Sequence, residues 1–226
     1  MDILCNGCSY TKKWDASDLR RARNAINYSW VHYLPKQTYN IARHGSGIEF
    51  IRVKKFIKAN TTKQLTHLIY QIPNPARQPV ELEQHILNCE CIYCSKGFAA
   101  KMKHGPTVWR LLLKGKDTTV FDKHEAYLSR VLKIINENVN IAREHSPNIK
   151  IIFFRYEQKG PPLLYEFSRS FYKTTLYNYC KNNNITYIYE KNFCTEWFFK
   201  NNLTGDYTHP NRAGAKVIAD KIIEHL

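Results

Sequence analysis

Short apolar runs alternate with longer amphipathic segments along most of this chain. Five of the runs are rich in β-branched and aromatic residues and are bounded by turn-forming residues, which predicts strands. They occupy residues 2–6, 38–41, 65–72, 149–155 and 185–189. The run Ile-Lys-Ile-Ile-Phe-Phe-Arg at 149–155 is strongly apolar, which is typical of a central strand of a parallel sheet.

The segments between these runs repeat apolar residues at three- and four-residue steps, which predicts helices. The first is expected over 17–34, with one face formed by Leu19, Ala22, Ile26, Trp30 and Tyr33. Further helices are expected up to about residue 59, over 122–145, from Pro161 to about residue 182, and from Pro210 to the end. The last helix should bury Val217, Ile218, Ile222 and Leu226.

Strands that alternate with helices call for a parallel sheet covered on both faces. We therefore expect an α/β protein, a three-layer α/β/α sandwich around a central, mostly parallel sheet of about five strands. No repeat or linker divides the 226 residues, so we predict a single domain, 1–226. Residues 76–120 show no clear pattern and are interpreted as an insertion or lid.

Polar residues with catalytic chemistry follow the predicted strands. Ser9 follows the first strand, and Asp206 stands three residues before His209, just ahead of the last helix. A serine needs a base to take its proton and a carboxylate to orient that base, so these three predict a triad in the order Ser, Asp, His. Gly45 and Asn74 follow the second and third strands, and ligands bind outside the carboxyl ends of strands in an open parallel sheet.

These blocks resemble those of the SGNH hydrolases, also called GDSL-type esterases and lipases. Gly-Cys-Ser-Tyr-Thr at 7–11 resembles the first block, Asn-Ile-Ala-Arg-His-Gly at 40–45 the second, and Asp-Tyr-Thr-His at 206–209 the last. The resemblance spans nearly the whole chain. It implies an SGNH or flavodoxin-like fold and a serine esterase or acylhydrolase, with the roles of nucleophile, orienting acid and base falling on Ser9, Asp206 and His209.

The resemblance also implies an oxyanion hole formed by the amides of Ser9 and Gly45 and the side chain of Asn74. The third block departs from the family, which usually shows Gly-x-Asn-Asp, because here the strand end reads Gln-Ile-Pro-Asn-Pro. Cys8 also replaces the usual Asp of the first block. The chain is therefore identified as a divergent member, and the completeness of its oxyanion hole stays open.

Each of these residues also has a purely structural interpretation. Ser9 and Asn74 are residue types common in turns, Asp206 is a turn or capping type, His209 suits a surface position, and Gly45 serves backbone geometry. Arg43, His44 and Arg77 lie near the predicted site in sequence and either bind an anionic part of the substrate or form a solvated rim. The expected substrate is a small acyl ester or an acylated glycan, with no cofactor.

Lys and Arg outnumber Asp and Glu by 34 to 19, which gives a formal net charge of +15. This excess favours polyanionic partners and supports an alternative hypothesis, a weakly catalytic or non-catalytic module that binds nucleic acid or another polyanion. The charges are spread along the chain rather than gathered in one tract, and excess Lys also promotes solubility.

Seven cysteines without a recognisable export signal suggest reduced thiols and a cytoplasmic protein, and no apolar segment is long enough to span a membrane. Four of the potential zinc ligands lie close together: His85, Cys89, Cys91 and Cys94. Their spacing is not that of a standard zinc knuckle, so they are only weak candidates and no metal is predicted.

Overall fold

The protein is described by a computed structural model that defines residues 2–7, 29–35, 37–42, 53–72, 124–155, 171–189, 210 and 212–226. Of residues 124–128 and 130 it defines only the backbone. The predicted insertion at 76–120 lies outside these ranges.

Five parallel strands form the central sheet in this part of the chain. They are β1 (Ile3–Asn6), β2 (Thr38–Asn40), β3 (His67–Ile72), β4 (Lys150–Arg155) and β5 (Thr186–Ile188), in the order β2-β1-β3-β4-β5. All four ladders are parallel, and Ile3 of β1 pairs with Thr38 of β2 and with His67 of β3. The predicted α/β fold with a parallel sheet of about five strands is confirmed.

Four α-helices and two other helical turns are defined. They are a 3₁₀ helix (Trp30–Tyr33), α1 (Val53–Ala59), α2 (His124–His145), a π-helical turn (Phe171–Leu176), α3 (Tyr177–Asn182) and α4 (Arg212–Ile223). After α3 the chain turns at Asn184, whose φ of 51° is a left-handed conformation that Asn tolerates.

The predicted helix over 17–34 is wrong at its end. Ser29 is extended, with ψ of 130°, and its Oγ accepts a hydrogen bond from Val31 N at 3.2 Å. A serine side chain that bonds to nearby backbone competes with helix formation, so a new 3₁₀ turn begins after it. Trp30 and Tyr33 still face the core as predicted, and residues 17–28 lie outside the described ranges.

β3 begins two residues later than predicted because its neighbours take the backbone donors. Leu65 N donates to Ser146 Oγ at 2.9 Å, and Thr66 N donates to the carbonyl of Asp2 at 2.9 Å. The ladder therefore starts at His67.

Alternation along the strands divides the core into two layers. Leu4, Tyr70 and Phe153 face a layer covered by α1, α2, the π turn and α3. Their neighbours Ile3, Ile69, Ile152 and Phe154 face the opposite layer, which holds Trp30 and α4. We call these the α2 face and the α4 face of the sheet.

The terminal helix α4 buries the predicted side. Ile218 and Ile222 are fully buried, while Val217 and Leu226 are partly buried against the same cluster. The small residues Gly214, Ala215 and Ala219 are buried as well, which lets the helix backbone come close to the sheet.

Candidate active site at the carboxyl edge of the sheet

The strand order defines a topological switch point between β1 and β3. The connection after β1 carries the 3₁₀ helix on the α4 face, whereas the connections after β2 and β3 carry α1 and α2 on the α2 face. In sheets of order 2-1-3-4-5, ligands bind outside the carboxyl ends of the strands at this point. The ends of β2, β1 and β3 are therefore the place to look for a site.

β1 ends at Asn6, a polar residue that is only 1% exposed. Its Oδ1 accepts a hydrogen bond from Gly7 N at 2.9 Å. Because the side chain takes the amide that would continue the ladder, the chain can leave the sheet at Gly7. Ser9 follows two residues later in the sequence.

β2 ends in a similar way at Asn40. Its Oδ1 accepts from Ala42 N at 3.1 Å, while Ile41 N still donates to the carbonyl of Cys5 at 2.9 Å. Ala42 is buried, and the segment with Arg43, His44 and Gly45 begins directly after it.

β4 ends at Arg155, whose side chain is also only 1% exposed. Its Cζ lies 4.1 Å from the ring centroid of Tyr172, in the π turn, and 5.1 Å from that of Tyr189. These distances are within the range of cation–π attraction, which offsets part of the cost of burying a guanidinium. In register, Arg155 stands beside Ile72 at the end of β3.

Tyr187 completes this aromatic cluster on β5. Burial raises the pKa of Tyr187, and the neighbouring Tyr172 raises it further, whereas Arg155 acts in the opposite direction. The hydroxyl is enclosed without a hydrogen-bond partner among the described residues. Tyr187 is therefore neutral throughout the physiological range.

The last helix begins near the same edge. Lys150, at the start of β4, donates from Nζ to the carbonyl of Leu226 at 3.4 Å, so the carboxyl end of α4 lies at the amino edge of the sheet. Twelve helical residues span about 18 Å, close to the length of a six-residue strand. The start of α4 and the buried Pro210 therefore lie toward the carboxyl edge, and His209 directly precedes Pro210 in the sequence.

The residues predicted from sequence to form the site all lie outside the described ranges. They are Ser9, Gly45, Asn74, Asp206 and His209, the rim residues Arg43, His44 and Arg77, and the weak metal candidates His85, Cys89, Cys91 and Cys94. The structure does define the ends of β1, β2 and β3 and the start of α4. Ser9, Gly45, Asn74, Asp206 and His209 lie near these ends in the sequence. Their contacts with one another stay a prediction.

Sequence reasoning missed the buried polar residues of this edge, above all Asn6 and Arg155. Both end apolar strands, where a polar residue is easily taken for the start of an exposed loop. The signal that could have found Arg155 is alternation, because it continues the inward positions of Ile151 and Phe153 on the α2 face.

The defined ranges contain no group of three or more His, Cys, Asp or Glu side chains placed to hold a metal ion. Nor does a helix defined there have the length and apolar character needed to cross a membrane. A cavity of about 320 Å³ lies at the opposite, amino edge of the sheet, lined in part by His67, Ser146 and Lys150, and is not part of this candidate site.

The fold is similar to that of several solved structures. The chain aligns over 99% of its length with the protein YXIM of Bacillus subtilis, at a TM-score of 0.57 and 13% identity, and spans 55% of that protein. It aligns over 98% with a putative GDSL-like lipase from Parabacteroides merdae, at a TM-score of 0.54 and 14% identity, and covers 93% of it.

A third similar structure is a catalytic mutant of Axe2, an acetylxylan esterase from Geobacillus stearothermophilus. It aligns over 99% of the chain and 92% of its own length, at a TM-score of 0.56 and 12% identity. No protein-family model matches the sequence, and neither does any curated protein. The chain thus shares the fold of these solved structures, among them a putative GDSL-like lipase and an acetylxylan esterase, at identities of 12–14%.

Proposed function

We propose that the protein is a serine esterase or acylhydrolase of the SGNH type that cleaves a small acyl ester or an acylated glycan. The observation that carries this proposal is the position of the strand ends. β1 and β3 are neighbours at the switch point, and the chain continues from them directly into the segments with Ser9 and Asn74. Two residues of extended chain span at most about 7 Å, which keeps the proposed nucleophile close to Gly7.

The orientation of α4 supports the proposed roles of Asp206 and His209. Because the helix starts toward the carboxyl edge, we propose that Asp206 and His209, which precede it in the sequence, reach the site from that side. Pro210, one residue after His209, is buried.

In the proposed reaction, Ser9 Oγ attacks the acyl carbonyl and His209 takes the hydroxyl proton. His209 then donates that proton to the leaving alcohol, and water hydrolyses the acyl-enzyme by the same route in reverse. Asp206 accepts a hydrogen bond from the second ring nitrogen and stabilises the imidazolium. The amides of Ser9 and Gly45 with the side chain of Asn74 stabilise the oxyanion, and loss of one such donor costs about 10²–10³ in turnover.

The substrate is proposed only as a class. The similar structures include one described as an acetylxylan esterase and one described as a putative lipase, so the fold is compatible with different acyl esters. An O-acetyl ester is the simplest candidate. The alternative of polyanion binding rests on the net charge of +15, and no contact among the described residues favours it.

Activity-based labelling tests the proposal directly. A fluorophosphonate should label the wild-type protein at Ser9, as mapped by mass spectrometry, and the Ser9→Ala variant should lose both labelling and hydrolysis of p-nitrophenyl acetate. Ser129→Ala is the matched control because Ser129 is an exposed serine on α2, so its activity should equal that of the wild type.

Two further variants test the base. His209→Asn should lose turnover, whereas His225→Asn, at an exposed position beyond α4, should keep it. Equal hydrolysis by wild type and Ser9→Ala, or labelling mapped to another serine, would overturn the proposed mechanism.

A further inference from the structure

Asn6 is a polar side chain in a layer that is otherwise apolar. Alternation places it on the α2 face, two residues after Leu4, and it pairs in register with Tyr70 of β3. Both neighbours belong to the hydrophobic core of that face, and Asn6 itself is 1% exposed. An apolar residue of similar size, such as Leu, would fit the pattern of β1 better.

The carboxamide is only half satisfied by the described part of the chain. Oδ1 accepts from Gly7 N at 2.9 Å, in a buried hydrogen bond. Nδ2 is enclosed and has no hydrogen-bond partner among the residues that the structure defines. Burying an amide donor in this way costs about 1–3 kcal/mol unless it is paired, so stability alone does not favour Asn at this position.

Asn6 also lies close to the proposed nucleophile in the sequence. Asn6 is the last residue of β1, at the switch point, and it stands three residues before Ser9. Its bond to Gly7 N fixes the first peptide of the segment that leaves the sheet toward Ser9. A misplacement of about 1 Å in a catalytic group can cost about 10²-fold in rate.

We propose that Asn6 is a positioning residue for the nucleophile. Its Oδ1 holds the Gly7 amide and so sets the direction in which the chain leaves β1. This inference rests on the proposed esterase function and deepens it, because it adds a residue that acts on Ser9 through the backbone rather than by touching the substrate.

The decisive variant is Asn6→Leu, which keeps the volume and removes the hydrogen bond. With p-nitrophenyl acetate we expect kcat to fall about 10- to 100-fold, KM to change less than about twofold, and Tm to stay the same or rise. A purely structural residue would show the opposite pattern, because its loss lowers Tm and leaves the kcat of the folded fraction intact.

Asn6→Asp provides the rescue, because it keeps an oxygen that accepts from Gly7 N and replaces the Nδ2 donor with a second carboxyl oxygen; burial favours the protonated carboxyl group. We expect its kcat to lie between those of the wild type and Asn6→Leu. Asn138→Leu is the matched control: Asn138 is also buried, donates from Nδ2 to the carbonyl of Ile134 at 2.8 Å, and leaves Oδ1 without a partner in the described part of the chain. Its kcat should equal that of the wild type.

The rate of fluorophosphonate labelling at Ser9 separates the possible failures. If the wild type is labelled and active while Asn6→Leu labels and turns over at the same rate, the positioning role is wrong and the proposed function stands. Equal losses in Asn6→Leu and Asn6→Asp would also overturn it, as would a loss of kcat explained by unfolding. A wild type that is neither labelled nor active would remove both proposals.

Discussion

The packing of α4 against the sheet is best tested at Ala215. This residue is 0% exposed and belongs to the same cluster as Ile3, Trp30 and Ile218 on the α4 face. Replacement by Leu adds three carbon atoms to an interior that is packed as densely as an organic crystal. Overpacking of this kind costs about 1–3 kcal/mol, whereas Ala and Leu differ little in helix propensity.

We therefore expect Ala215→Leu to lower the free energy of unfolding by about 1–3 kcal/mol. For a chain of this length, that corresponds to a fall in Tm of about 2–12 °C. The assay is thermal and urea unfolding followed by circular dichroism. The control is Ala213→Leu, an exposed position on the same helix, which should change stability by no more than about 0.5 kcal/mol.

The same pair of variants tests the link between α4 and the proposed base. Turnover of p-nitrophenyl acetate should be measured well below both values of Tm. Overpacking at Ala215 shifts the start of α4, so kcat should fall in Ala215→Leu and not in Ala213→Leu. Equal Tm values for the two variants would refute the packing, and a lower Tm with unchanged kcat would refute the link.

Three further predictions concern buried groups. Burial and the nearby Lys150 lower the pKa of His67 in the folded protein. As pH falls through about 6.5, the unfolded chain therefore binds more protons than the folded one, and the free energy of unfolding decreases. His67→Gln should reduce this decrease, measured by urea unfolding between pH 7.5 and 5. Burial raises the pKa of Cys5 and raises that of Cys180 to about 12, so mass spectrometry should find neither alkylated by iodoacetamide at pH 8 until urea unfolds the protein. Arg155→Lys keeps the charge but loses the flat guanidinium between two tyrosine rings, and should lower the free energy of unfolding by about 2 kcal/mol; an unchanged urea midpoint would contradict this.

The strands could be predicted from sequence because their signal is local. The bounds of β1, β2, β4 and β5 lie within one residue of the predicted ones, because side-chain alternation and burial are set by neighbouring positions in the sequence. The long helix α2 was predictable for the same reason. The start of β3 moved by two residues, and there the partner is distant: the amide of Leu65 donates to Ser146, 81 residues away.

The environment of Arg155 could not be predicted in this way. Its two ring contacts come from Tyr172 in the π turn and from Tyr189, the residue after β5, and the π turn has no simple sequence signal. The extended backbone of Ser29 and the 3₁₀ helix after it are a second case, because a serine in an amphipathic pattern fits either interpretation until its hydrogen bond is known.

The sequence predicts which residues form the candidate site, but it does not predict which strand ends lie side by side. Sequence places Ser9, Gly45 and Asn74 after the first three strands without fixing the order of those strands. The observed order β2-β1-β3 makes the three strand ends adjacent, and this adjacency supports a common site. The contacts between the side chains stay predictions that the labelling experiment addresses.

The distribution of buried polar residues points to the same edge by an independent route. On the three central strands, the buried polar residues are Asn6, His67, Gln71 and Arg155, and all but His67 lie at or next to a carboxyl end. Burial of a polar group costs stability even when it is partly paired. A sequence departs from the apolar pattern of its core mainly where function demands it. The buried polar residues at the ends of β1, β3 and β4 therefore support the proposal that this edge of the sheet serves catalysis as well as folding.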